Sequence, residues 1–210
     1  DSLLKPSGWD TLSKRALGSI ADATVYEMMI RDFSAASDDV TASYRGGFMA
    51  FTEANSKGMK HLKNLASAGL THLEIGPAFD IVSVNEDKNE WDTVDENALA
   101  NATPNGTTQR DAVKAIQNSD GFNWGYDPMH YTVPDGSFAT DPNGSQRIVE
   151  FRSMVKGLAA AGLRTTMDVV YNHTSSSGQK TNSVLDKIVP GYYYRLTPQA
   201  QSKPVPAART

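Results

Sequence analysis

"AGLRTTMDVVYNHTSSSG", residues 161–178, decides the fold. Its β-branched and apolar residues predict a buried strand, yet Asp168 sits in the middle of the run and Asn172 and His173 close it. Burying an ionised carboxylate is costly unless hydrogen bonds or a counter-charge compensate it. The stretch therefore predicts a strand whose carboxyl end carries a polar site. Upstream, Ile148, Phe151, Val155 and Leu158 recur at helical spacing across Ser145 to Ala161, and Gly162 stands where a helix ends. The same grammar appears earlier. Met59, Leu62, Leu65 and Ala66 mark a helix from Ser56 to Ala68, Gly69 ends it, and "LTHLEIG" gives a strand running into Gly76-Pro77. "LASAGLTHLEIG" and "LAAAGLRTTMDV" share the order helix, Gly-Leu, strand, and "ATVYEMMIRDF", residues 23–33, predicts a first strand before both. Repeated strand and helix units imply an α/β fold with a parallel sheet, whose strand carboxyl ends and outgoing loops share the face where ligand chemistry is expected.

Composition narrows the function classes. With 39% apolar residues in 210, the chain can bury a substantial core. A formal charge of −4, with no block of like charge, gives no electrostatic footprint for nucleic acid or an anionic membrane. No apolar run approaches the roughly 20 residues of a membrane helix. The absence of cysteine excludes disulfides, thiolate metal sites and a cysteine nucleophile. The four histidines, at 61, 72, 130 and 173, have no zinc-like spacing.

Asp168, Asn172 and His173 can be read in two ways from the residues alone. They form a ligand site, or Asp168 accepts bonds from loop amides while the other two cap a turn. Support for a site comes from "GFNWGYDPMHYTVPDGSFATDP", residues 121–142, which sets Phe122, Trp124, Tyr126, Tyr131 and Phe138 among turn residues. Rings stack on the C–H faces of sugars, and sugar hydroxyls seek Asp, Asn and His. Phe122, Trp124 and Phe138 are expected to pin the loop to the body, and Tyr126 to face a ligand. Glu74 and Asp32, near strand ends, are expected to make structural ion pairs. The segment between the second and third strands, Asp80 to Gly144, is a long excursion of the kind that carries function.

"DVVYNHT", residues 168–174, resembles the first signature region of the α-amylase superfamily of glycoside hydrolases, and "FNWGYDP", 122–128, resembles the hallmark of its debranching members. With "YEMMIRDFS", "GPAFDIVSVNE", "HYTVPDGSFATDP" and "SVLDKIVPGYYYRL", the sequence is similar to the bacterial type I pullulanases from its start to about Leu196. The resemblance implies a (β/α)8 TIM barrel of which only the first three β/α units are present, with residues 80–144 inserted before the third helix. Residues 1–22 would lead into the catalytic domain, 23–196 would be its amino-terminal part, and 197–210 remain unplaced. It further implies a retaining hydrolase of α-1,6 branch bonds in pullulan, amylopectin and limit dextrins. Carried over by position, His173 would bond the glucose at the cleavage subsite, Tyr126 would stack under it and Asp127 would lie beside it. Asp168 and Asn172 would hold the architecture of that site.

No cofactor is implied, although a structural calcium is compatible, with Asn172 as a candidate ligand. The expected partners are an α-glucan and the remainder of the catalytic domain, in a protein secreted by a bacterium or held at its surface. Retention needs a nucleophilic carboxylate and an acid/base carboxyl about 5 Å apart. In the family these follow "GFRxD"-like and later motifs, and a third Asp lies in an "NHD"-like one. No Gly-Phe-Arg and no His-Asp occurs here, so no catalytic carboxylate is expected in this chain and the isolated chain is expected to be inactive. Competing assignments are an isoamylase or α-1,4-amylase, and a truncated, non-catalytic glucan-binding product.

Overall fold

The computed structural model describes residues 2–196; the tail expected to be unplaced, 197–210, lies outside them. Three strands, β1 (Val25–Met28), β2 (His72–Ile75) and β5 (Arg164–Met167), form a parallel sheet in the order β1-β2-β5. Helices α1 (Ile30–Ser34), α2 (Lys57–Ser67) and α5 (Gln146–Ala160) accompany them. The long excursion carries β3 (Phe79–Ile81), α3 (Glu96–Leu99), α4 (Thr108–Ile116) and β4 (Pro128–Pro134), and α6 (Leu185–Ile188) follows the sheet. Strands β3 and β4 pair antiparallel as a separate ribbon.

The two Gly-Leu junctions are built alike. Gly69 (φ +117°) and Gly162 (φ +92°) both take the left-handed backbone that favours glycine. The amides of Leu70 and Leu163 then reach back to the carbonyls of Leu65 and Leu158, at 2.9 and 3.0 Å. Each helix is thereby turned directly into its strand. Leu73 and Ile75 of β2 are fully buried in one cluster with Met59 and Leu62 of α2, Met154 and Leu158 of α5, and Phe48 and Phe51 of a 3-10 turn between them. Gly157 lets α5 touch that turn, because a Cβ there would stand 2.2 Å from the Phe51 carbonyl oxygen.

Two strand expectations are corrected. The predicted first strand, 23–33, is a strand only over Val25–Met28; Met29 ends it and Ile30 begins α1. Its apolar residues serve a turn and a short helix, and burial without period does not distinguish these states. Asp168 is not inside a strand either: β5 ends at Met167, and Asp168 is half-buried just beyond, its amide still bonded to the Ile75 carbonyl at 2.8 Å. The solvation cost inferred for a carboxylate in mid-strand is reduced accordingly.

Residues 4–9 lie against α5, and Arg15 donates to the Ala66 carbonyl of α2 at 3.3 Å. Arg152 and Lys156 donate to the carbonyls of Leu4 and Ser7, at 2.7 and 2.5 Å, and Arg152 also stands over the Trp9 ring. Among the described residues no helix is long and apolar enough to cross a membrane.

Candidate functional site

The site lies at the carboxyl ends of β2 and β5. Gly125 rests on Pro77, at the end of β2: with φ +81° and a hypothetical Cβ 2.7 Å from the proline, only glycine fits there. That close approach carries Tyr126 over the sheet. The Tyr126 hydroxyl donates to Asp168 Oδ2 at 2.7 Å, and His173 Nε2 lies 2.9 Å from the Tyr126 carbonyl. A carbonyl only accepts, so Nε2 carries a proton, while Nδ1 is buried without a hydrogen-bond partner among the described residues. Tyr131 completes the arrangement by donating to the His173 carbonyl at 2.6 Å. It gets there through an irregularity in β4: Asp80 pairs with His130 and Phe79 with Pro134, so residues 131–133 loop out, with Thr132 at φ +63°.

Tyr126, Asp168 and His173 are thus brought together; among the described residues the Asp168 carboxylate accepts from no loop amide and the His173 ring caps no turn. Asp127 is turned elsewhere, accepting the Ser83 amide on its carboxylate at 3.0 Å and the Val82 amide on its carbonyl at 3.1 Å. Asn172 is exposed. Of the rings, Phe138 is buried in the core as expected. Phe122 and Trp124 are not buried anchors: they are 46% and 62% exposed and meet edge-to-face, with Arg31 of α1 standing over the Phe122 ring. The loop is held instead by Gly125 on Pro77 and by hydrogen bonds of Asn123 and Asp127 to Ser83.

Two glutamates belong to the site's electrostatics. Glu27 and Glu74 are register partners on β1 and β2, with Thr166 of β5 completing the row. In-register side chains of neighbouring strands share a face, here the one opposite Leu73 and Ile75. The hydrogen bond to Asp168, then burial, then the negative charges of Asp168, Glu27 and Glu74 push the Tyr126 phenol up to about 12. It stays a neutral donor. Glu74 makes no ion pair among the described residues, so the structural salt bridge expected for it is absent, whereas Asp32 lies 3.7 Å from Arg31. A charged residue at mid-strand in β1 was the signal for Glu27; Tyr131 was visible as one of the rings of residues 121–142, but nothing in the sequence tied it to His173.

Asp80, Glu86 and Asp135 bring carboxylate oxygens within 4.8 Å of one another. Each already has partners in the protein. Arg147 grips Glu86 with both terminal nitrogens at 2.5 and 2.6 Å, His130 Nδ1 contacts Asp80, and buried Asp135 accepts from the amides of Ile81 and Ser137 at 2.7 and 2.8 Å. These partners staple β3, β4 and α5 together. Among the described residues no comparable group of acids gathers at Asn172.

Pullulanase 1, chloroplastic, of Arabidopsis thaliana is 49% identical over 195 residues, which cover 91% of this chain and 20% of that protein. The ligand-free crystal structure of PulA from Klebsiella pneumoniae superposes with a TM-score of 0.84 at 37% identity, over 94% of this chain and 22% of that one. Over most of its length the chain is similar to one segment of pullulanases. A Klebsiella pneumoniae pullulanase complexed with maltotriose matches at a TM-score of 0.81 and 39% identity, over 94% of this chain and 22% of that one. The chain spans about a fifth of the length of these relatives. No family model matches it.

Proposed function

We propose that the chain is the amino-terminal part of the catalytic domain of a retaining α-glucan debranching hydrolase, with β1, β2 and β5 as the first three strands of a (β/α)8 barrel. Its substrates would be pullulan and other glucans with α-1,6 branches. The observation that carries this is the clamp of Tyr126 by Asp168 and His173 at the carboxyl end of a parallel sheet. Asp168 aims the phenol, His173 and Tyr131 hold the loop, and the partly exposed Tyr126 ring offers a face to a sugar.

Sheet geometry supports the barrel. The strands pair in chain order, as consecutive barrel strands do, and the face bearing Glu27 and Thr166 is open, whereas parallel sheets are normally covered on both sides. Side chains of further strands would fill that side as they fill a barrel interior. The nucleophile and the acid/base would come from sequence outside this chain, and hydrolysis by carboxylates needs no organic cofactor. The remainder of the domain is the implied partner.

Product analysis tests the assignment. Intact protein incubated with pullulan should release maltotriose. Debranching of amylopectin with pullulan left untouched would indicate an isoamylase-like specificity instead.

A further inference from the structure

A cavity of about 170 Å³ lies between the start of α1, the turn at Arg45 and the long excursion. None of Tyr126, Asp168 and His173 lines it. Its wall combines two chemistries. Trp91, Phe122 and Phe138 supply ring surface, and the indole is held by its hydrogen bond to the Asn85 carbonyl at 2.6 Å and by Gly121, where a Cβ would stand 2.3 Å from the ring. Arg31, Arg45 and Lys88 supply positive charge. Arg45 donates to the Val40 and Asp38 carbonyls, at 3.0 and 3.3 Å, and the nearby Asp38 carboxylate, itself paired with Lys57, only partly meets its charge. Lys88 is half-buried and makes no ion pair among the described residues. Burial pulls its ammonium below the usual lysine range, with Glu150 only partly opposing. A desolvated cation facing a cavity is stabilised by an anion placed there. Asp32, also in the wall and 3.7 Å from Arg31, is suited to accept hydroxyls and disfavours a bare anion beside it.

We propose that this cavity binds a hexose phosphate, its sugar face on Trp91 or Phe122, its phosphate at Lys88 and Arg45, and a hydroxyl on Asp32. A free sugar phosphate and a phosphorylated residue of a longer glucan share that chemistry. Neither the family assignment nor hydrolysis is needed for binding, so the two can fail separately.

Isothermal titration of the intact protein tests it. Glucose 6-phosphate should bind saturably, with glucose and inorganic phosphate each about tenfold weaker or more. Lys88→Met should weaken glucose 6-phosphate about tenfold or more, the scale of a lost charged hydrogen bond, and Lys88→Arg should restore much of the loss. Lys88 makes no ion pair among the described residues that its replacement would break, so both variants should melt close to the wild type; Trp91→Ala should weaken glucose and glucose 6-phosphate alike. A maltodextrin carrying one 6-phosphate, run in parallel, identifies the source by which probe binds tighter. Undiminished binding by Lys88→Met, displacement of glucose 6-phosphate by unphosphorylated maltotriose, or inorganic phosphate binding as tightly as the sugar phosphate would overturn the proposal.

Discussion

The hydroxyl of Tyr126 donates to a carboxylate at 2.7 Å, and bonds to charged acceptors are the stronger class, about 1.5–3 kcal/mol. Tyr126→Phe keeps the ring and frees it to swing. If the clamp orients a sugar-stacking face, kcat/KM of the intact protein on pullulan should fall about 10- to 100-fold. The melting temperature should move by no more than about 4 °C, because the side chain is 45% exposed. Unchanged kinetics would remove Tyr126 from the site. Asp135 behaves differently because it is buried. Loss of solvation, partly offset by its bonds from Ser137 and Ile81, lifts its carboxyl to about 6. The folded-state value lies above the unfolded one of 3.8, so the protonated form is favoured by folding. The stability this contributes is complete below about pH 4 and is lost as pH rises through about 6, a change on the order of 3 kcal/mol. Between pH 5 and 7 the melting temperature of the wild type should therefore decline relative to Asp135→Asn, which has no proton to lose. A pH-independent difference between the two would contradict the assignment.

At the scale of elements, the two long helices of the sheet were legible to within a residue or two. Their apolar positions keep a 3.6 period, and Gly69 and Gly162 mark their ends with a backbone few other residues adopt. The first strand was overextended because an apolar run without period fits a strand, a turn and a short helix equally. The ribbon of β3 and β4 had no signature, since its pairing joins Phe79–Ile81 to residues about fifty positions away and depends on the looped-out Thr132. Helix α5 gives a test in which propensity and packing oppose each other. Gly157→Ala would favour the isolated helix by about 1 kcal/mol. Its Cβ, however, would stand 2.2 Å from the Phe51 carbonyl oxygen, and overpacking of that kind costs about 1–3 kcal/mol. The variant should be net destabilised in thermal unfolding; stabilisation would mean that α5 and the 3-10 turn separate easily.

At the scale of the whole molecule, the sheet has two free edges and one open face among the described residues. Both the β1 and β5 edges present unpaired backbone groups, and Tyr26 and Val25 of β1 are 42% and 54% exposed. The 210 residues in isolation should release no reducing sugar from pullulan and should melt broadly, without a sharp reversible transition. Turnover that survives extensive purification, or cooperative unfolding of a monomer, would count against a barrel completed by further strands.

The sequence alone determined the parallel α/β grammar and the two main helices and their stops, and it nominated Tyr126, Asp168 and His173 as candidates, because period, glycine and a carboxylate beside an apolar run are local signals. Only the tertiary structure decided that Asp168 bonds Tyr126, that His173 spends its Nε2 on a carbonyl, that Tyr131 anchors the loop and that Glu27 and Glu74 charge the site. Those pairings join residues roughly 40 to 100 positions apart. Their distances follow from how strands register and how closely Gly125 approaches Pro77, which no local pattern encodes.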